Sequence, residues 1–217
     1  MEIKPLGVDY NVEFDERGTL RPDDALDAIV PKIIEVCTEV TQDGTQIYEG
    51  SATPKELSYL IQQVGKFNAP HILEIGMNVG ISTVAMLEAA PGSIVVSYDL
   101  GEWACARAAA RVLRKVYGHR HEVVWGDSKM LLPLEERKFD FAFVDGGHDE
   151  DTAYSDIREA ARRSKTLMVD DVQIDTVFDA LALALSNGFI THVETGGDTT
   201  GWVERRWALF TSNVYKG

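Results

Sequence analysis

The spacing of apolar and polar positions changes character near residue 70. Before it, Leu26, Ile29, Val30, Ile33, Ile34 and Cys37 recur at intervals of three and four, which predicts an amphipathic helix that Pro31 kinks or restarts. A second helix is predicted after Thr53, which stands in capping-box spacing with Glu56; Pro54 takes the first helical position, and Leu57, Leu60, Ile61 and Val64 mark the apolar face. From His71 onward short apolar runs alternate with helical stretches, as in βα units around a largely parallel sheet. The strand-like runs cover 71–75, 93–99, 121–126, 139–145 and 166–170. Helices are expected after Gly80 and over 102–117, 130–136 and 151–163. One more follows Asp171, with Ile174, Val177, Phe178, Leu181 and Leu185 on one face and a stop at Gly188.

The last two strand-like runs, 189–194 and 204–210, are separated by a glycine-containing stretch too short for a crossover helix, so they should pair antiparallel. The pattern predicts an α/β, three-layer, doubly wound, mostly parallel seven-stranded sheet with an antiparallel last strand, plus N-terminal helices. No repeat or linker divides the chain. Residues 1–50 read as an N-terminal helical extension able to act as a lid, and 51–217 as the catalytic domain, within one domain overall.

Composition narrows the possible partners. The 217 residues are 45% apolar, enough for a full core, and 35 acidic against 21 basic residues give a formal net charge of −14. Such a surface repels phosphate backbones and anionic membranes, so neither nucleic acid nor a membrane is an expected partner. No run approaches the ~18 apolar residues of a membrane span. The first residues carry neither a basic leader nor an apolar stretch, so a protein that is not exported is expected. Cys37 and Cys105, distant and in apolar helical surroundings, suggest buried free thiols in a reducing compartment, and a cytoplasmic location is expected.

Candidate chemistry begins where the first strand turns into a helix. In ILEIGMNVGIST, Gly76 and Gly80 let backbone N–H groups approach a ligand without an intervening side chain. Glycine at such a turn also serves conformation alone, but Asp99 adds a second sign. It ends the second strand nineteen residues after Gly80, where a carboxylate can accept from both hydroxyls of a ribose. Asp127 and Ser128 close the third strand, where a carboxylate and an amide can read an adenine edge. Three strand ends in order point to an adenosine-containing ligand.

EIGMNVG followed by Asp99 and GDS resembles the glycine motif and following acidic positions of S-adenosylmethionine-dependent methyltransferases with a Rossmann-like domain, over roughly residues 50–210. The terminal antiparallel pair is similar to the seventh-strand insertion of that fold. The resemblance implies that Glu74, Gly76, Met77, Gly80 and Ser82 hold the methionine end of the cofactor, with Asp99 at the ribose and Asp127, Ser128 and Asp145 completing the site. Asn78 departs from the pattern by replacing its middle glycine, as in catechol-type enzymes. An NAD-dependent dehydrogenase ranks second, because the turn offers G-x-x-x-G where a dinucleotide fingerprint wants G-x-G-x-x-G.

Asp145 ends the fourth strand, and Asp170 and Asp171 end the fifth. Adjacent parallel strands place these acids on the same edge as the glycine turn. Without a neighbouring Lys or Arg, the three carboxylates call for protons or a cation, and an all-oxygen set suits Mg²⁺. The competing expectation is a solvated Asp145 with Asp170 or Asp171 capping the next helix. VDGGH with VDD resembles the Mg²⁺-dependent O-methyltransferases of catechol, caffeoyl and macrolide-sugar types, which implies metal binding by Asp145, Asp170 and Asp171.

His148 stands where catechol-type enzymes carry a proton-accepting lysine, and it is expected either to act as the base or to support the site from behind. His71, His119, His121 and His192 are expected to be structural. The implied reaction methylates one hydroxyl of a small molecule, a catechol or a sugar diol, with a natural product among the expected acceptors. A metal-independent methyltransferase and a catalytically silent cofactor-binding module are the alternatives. Residues 1–50 and 194–204 are candidate lids and Trp202 and Trp103 candidate pocket walls, with core packing preferred for Trp103. The N-terminal helices are equally able to cover a second subunit, and a homodimer is the alternative expectation.

Overall fold

In the first strand, alternate side chains enter two different cores, so the sheet must be covered on both faces. A computed structural model describes residues 22–42, 44–47, 52–199 and 204–217. Its strands are β1 (His71–Ile75), β2 (Ile94–Asp99), β3 (His121–Trp125), β4 (Phe139–Val144), β5 (Ser164–Val169), β6 (Ile190–Asp198) and β7 (Arg205–Ser212). They form one sheet in the order β3-β2-β1-β4-β5-β7-β6. β1 pairs in parallel with β2 and β4, while β7 runs antiparallel to both β5 and β6. The expected doubly wound sheet is therefore what the chain adopts.

The helices are α1 (Pro22–Thr41), α2 (Pro54–Val64), α3 (Ile81–Ala89), α4 (Ala104–Tyr117), α5 (Ser128–Leu131), α6 (Glu150–Arg163) and α7 (Asp175–Ser186). One core joins α1 to α4 with Ile72, Phe141, Phe143, Met168 and Leu209 of the sheet. The other joins α6 and α7 with Leu73, Ile75, Ala142, Val144, Leu167 and Phe210. Period-two alternation along each strand feeds both layers. α2 starts with the expected capping box: the Thr53 hydroxyl accepts from the Glu56 N–H, and the Glu56 carboxylate accepts from the Thr53 N–H, both at 3.3 Å.

Three expectations are revised. The helix containing Pro31 runs without restart from Pro22 to Thr41, and its apolar face, Leu26, Ile29, Ile33, Val36 and Val40, is buried against α2, α3 and α4. Those five side chains are covered within the chain, while Ile34 of the expected face is 51% exposed. On α7, Val177, Leu181, Ala180 and Ala184 face the core, whereas Phe178 and Leu185 are exposed. The glycine-containing stretch after residue 193 is largely strand, because β6 continues to Asp198 with Gly196 paired to Trp207. A Cβ at Gly196 would lie 2.3 Å from the Trp207 indole nitrogen, so glycine there makes room for an aromatic ring rather than for a hinge. Residues 1–21, with part of the expected extension, and Trp202 lie outside the described residues. No helix among the described residues is long and apolar enough to cross a membrane.

Candidate active site

The strand order reverses at β1, whose neighbours β2 and β4 lead to opposite edges, and the loops above that point enclose a cavity of about 580 Å³. Gly76 leaves β1 with a φ of +86°. A Cβ there would lie 1.9 Å from the Asp145 carbonyl oxygen, so only glycine allows the β1 and β4 backbones to approach this closely. Gly80 also has positive φ and caps α3 without a side-chain bond; a Cβ would meet Leu113 at 2.8 Å. Asn78 takes the left-handed conformation too, at φ +48°, which asparagine tolerates better than most residues. Its side-chain oxygen accepts the Cys105 thiol at 3.5 Å. Both cysteines are free, as expected, and burial raises Cys37 to about 11.

Asp99 ties the turn together. Its Oδ2 accepts the N–H groups of Met77 and Asn78 at 3.0 and 3.1 Å, and its Oδ1 accepts that of Gly101 at 2.6 Å. Oδ1 keeps acceptor capacity for a ligand hydroxyl, since a carboxylate oxygen can take a second hydrogen bond. Asp127 caps α5 by accepting the Lys129 N–H at 2.9 Å. Of the expected cofactor residues, Gly76, Asp99, Asp127, Ser128 and Asp145 line the cavity.

Glu74, Met77, Gly80 and Ser82 do not line it. Glu74 is fully buried beneath the turn, where Ser82 and Thr83 each donate to its carboxylate at 2.7 Å and Ser97 donates as well. Burial raises its carboxyl to about 7 against the pull of those three hydroxyls. Behind Ser97, at 3.0 Å, sits His121 Nε2, its imidazole lowered to about 4 by burial. Glu74 and Ser82 thus support the turn from within the α3 layer, and Met77 is a core side chain at 2% exposure. Trp103 reverses its expected role: it is 54% exposed at the start of α4 and forms part of the cavity wall.

The acids of β4 and β5 converge, but differently from expectation. Asp171, at φ +55°, does not cap α7, whose N-cap is Ile174. Its Oδ2 lies 3.1 Å from His148 Nε2, while Oδ1 accepts from Gln173 Nε2 and from Arg205 Nη1, each at 2.6 Å. Burial pushes the Asp171 carboxyl up, but the hydrogen bonds from His148, Gln173 and Arg205 outweigh it and hold the group near 2. The hydrogen bond to Asp171 in turn raises His148 above its ordinary value. Asp145 is half-buried, and its carboxyl is driven up by burial and by the charges of Asp170 and Asp171.

Two further residues stand here that no local motif announces. Arg205 begins β7, and the antiparallel pairing delivers it to the carboxyl end of β5, contradicting the expectation of no adjacent basic residue. Glu56, on α2, is 1% exposed and bears on Asp170, with burial and then the Asp170 charge raising its carboxyl. Glu56 Oε1 and Asp170 Oδ1 are both buried without a hydrogen-bond partner while both groups are ionised. A proton on Glu56 lets the pair satisfy itself, and a hydrogen bond from Glu56 holds Asp170 down against its burial. The i, i+4, i+8 series Glu56, Leu60, Val64 was the available signal, since it puts Glu56 on the apolar stripe. For Arg205 the signal was the antiparallel pair itself.

A glycine-turned cavity at the switch point of a sheet ending in this antiparallel pair defines a Rossmann-like methyltransferase architecture. Residues 73–172, which run from β1 to the acids beyond β5, match the family model described as a methyltransferase domain. No curated protein matches the chain in sequence. Solved structures share its fold. An O-methyltransferase from Bacillus cereus in complex with SAH is 17% identical with a TM-score of 0.68, covering 84% of this chain and 91% of that one. The O-methyltransferase TomG from Streptomyces achromogenes, involved in tomaymycin synthesis and in complex with SAM, is 17% identical with a TM-score of 0.65, covering 93% and 91%. Precorrin-6y C5,15-methyltransferase from Geobacter metallireducens is 13% identical with a TM-score of 0.58, covering 78% and 94%. At such identities the likeness is one of fold.

Proposed function

We propose that the protein is an S-adenosylmethionine-dependent O-methyltransferase acting on a hydroxyl of a small molecule, a catechol-like compound or a vicinal diol. The observation that carries this reading is the His148–Asp171 pair at 3.1 Å on the wall of the cavity that Gly76 and Asp99 also line. The cradle suits the cofactor. Gly76 offers backbone where a Cβ has no room, Asp99 Oδ1 can accept a ribose hydroxyl, and the O-methyltransferases of the same fold from Bacillus cereus and Streptomyces achromogenes carry SAH and SAM. When bound, S-adenosylmethionine supplies a methyl group on a sulfonium and departs as a neutral thioether.

The chain's own residues supply orientation and a proton acceptor. With Nε2–H donated to Asp171, the free nitrogen of His148 is Nδ1, which takes the acceptor's hydroxyl proton as the new O–CH₃ bond forms. Asp171 fixes the tautomer and stabilises the imidazolium, and Arg205 and Gln173 hold Asp171. Magnesium fits the donors poorly. Among the described residues, the three ligand atoms that come within 4.8 Å of one another belong to Asp145, His148 and Asp171, not to the anticipated carboxylate triad. Asp170 faces Glu56, Asp171 Oδ1 is engaged by a guanidinium, and an imidazole nitrogen is an unusual partner for a hard cation.

The test is transfer of labelled methyl from S-adenosylmethionine to a panel of phenols and vicinal diols. Turnover is expected to need neutral His148, so it rises with pH through an inflection above the ordinary imidazole value of 6.5. Asp171→Asn should move that inflection down, and His148→Ala should cost about 10²-fold or more in kcat. Unchanged turnover by His148→Ala would contradict the assignment of the base.

A further inference from the structure

We infer that Arg205 is the resident cation of the acidic cluster, standing where a divalent ion would otherwise be required, and that removing its guanidinium opens a divalent-cation site at Asp145, His148 and Asp171. Four carboxyl groups, Glu56, Asp145, Asp170 and Asp171, gather at the carboxyl edge of β4 and β5, with Glu56 1%, Asp171 3% and Asp170 5% exposed. Asp171 is the one that touches Arg205, with Nη1 and Oδ1 2.6 Å apart. Arg205 is only 30% exposed, lines the cavity, and bears electrostatically on Glu56 and Asp170 as well as Asp171. A guanidinium is planar, permanently charged and weakly hydrated, which suits a partly buried position among carboxylates better than an ammonium does.

The placement is built into the fold. Val172 donates its N–H to the Arg206 carbonyl at 3.0 Å, and the Gln173 side chain accepts the Arg206 N–H at 2.7 Å while donating to Asp171. These bonds clamp the start of β7 to the segment that follows β5, so the guanidinium is aimed by backbone on both sides. Arg205 acts as a positioning residue: by occupying Oδ1 it turns Oδ2 of Asp171 toward His148, and it neutralises the cluster with no exchangeable ion. The remaining donors of a metal set, Asp145 and His148, are already within ligand distance of Asp171, which is why losing the guanidinium should leave a usable site. The charge assignment goes beyond the methyl-transfer reading, and it can be tested without turnover.

The experiment is Mn²⁺ binding to the full chain, followed by the electron paramagnetic resonance signal of the free ion, in wild type, Arg205→Met, Arg205→Lys and the double variant Arg205→Met/Asp171→Asn. Wild type and Arg205→Lys are expected to leave millimolar Mn²⁺ free of site-specific binding, Arg205→Met to take up one ion per chain, and the double variant to lose it. The melting temperature of wild type should be the same in Mn²⁺ and in chelator, while that of Arg205→Met should rise with Mn²⁺. Should Arg205→Met fail to fold, Arg205→Gln, which also lacks the permanent charge, takes its place in every arm. Tight Mn²⁺ uptake by wild type that Asp171→Asn abolishes would overturn the inference, as would a folded Arg205→Met with no gain in uptake. A protein that binds no cofactor but shows the expected metal pattern would refute the methyl-transfer reading and leave this one standing.

Discussion

At Gly76 one hydrogen atom decides whether the site can exist. Its φ of +86° and the Asp145 carbonyl, 1.9 Å from where a Cβ would stand, exclude every other residue without movement of the β4 backbone. Gly76→Ala is therefore expected to cost upward of about 2 kcal/mol in urea unfolding and to abolish binding of S-adenosylhomocysteine. A variant as stable and as tightly binding as wild type would mean that the two loops are not locked together. Nearby residues show how far local sequence could take the reading. Gly76, Asp99, Asp127 and Ser128 were legible because a strand end fixes where a side chain emerges. Glu74 and Ser82 sat in the same motif yet serve the turn from below, because alternation along β1 sends Glu74 into the α3 layer beside Ser97. A motif gives proximity to a turn, and the strand's parity decides which side of it a residue serves.

Among the elements, α2 does more than its pattern announced. Its apolar face packs on the sheet while Glu56 reaches the acids of β5, and Tyr59 donates to Glu194 of β6 at 2.6 Å, so the helix braces the site's outer wall. If Glu56 carries the proton shared with Asp170, an amide replaces it well. Glu56→Gln should stay within about 1 kcal/mol of wild type, whereas Glu56→Ala should lose about 1–3 kcal/mol by leaving a buried carboxylate without its donor. Chemical denaturation of the two variants distinguishes them, and equal losses would argue that Glu56 is ionised. The order of helices and strands was readable from periodicity, since amphipathic helices and buried strands have different repeats. Their convergence was less so. Glu56 lies 114 residues from Asp170, and Arg205 lies 34 from Asp171, and neither distance carries a local signal. The antiparallel pairing of β6 and β7 was foreseen, yet its consequence, a basic residue beside the acids, follows only when the strand's polarity is traced to its first residue.

For the whole molecule, two cores of opposite faces hold a sheet whose carboxyl edge opens at the β1 and β4 switch point. The layers make that edge rigid and leave specificity to the loops and side chains above it, among them the exposed ring of Trp103. The molecule's formal charge of −14 continues into the cavity, where Asp99, Glu102, Asp127, Asp145, Asp149 and Asp171 face only Lys129 and Arg205 as fixed cations. The central claim is that the glycine turn and the acids after β2 and β3 form a seat for an adenosyl sulfonium cofactor. Calorimetric titration of the full chain with S-adenosylhomocysteine, and separately with NAD, tests it most directly. Saturable one-to-one binding of S-adenosylhomocysteine with no heat from NAD is the expected result. Binding of NAD in its place, or no binding of S-adenosylhomocysteine, would contradict the account.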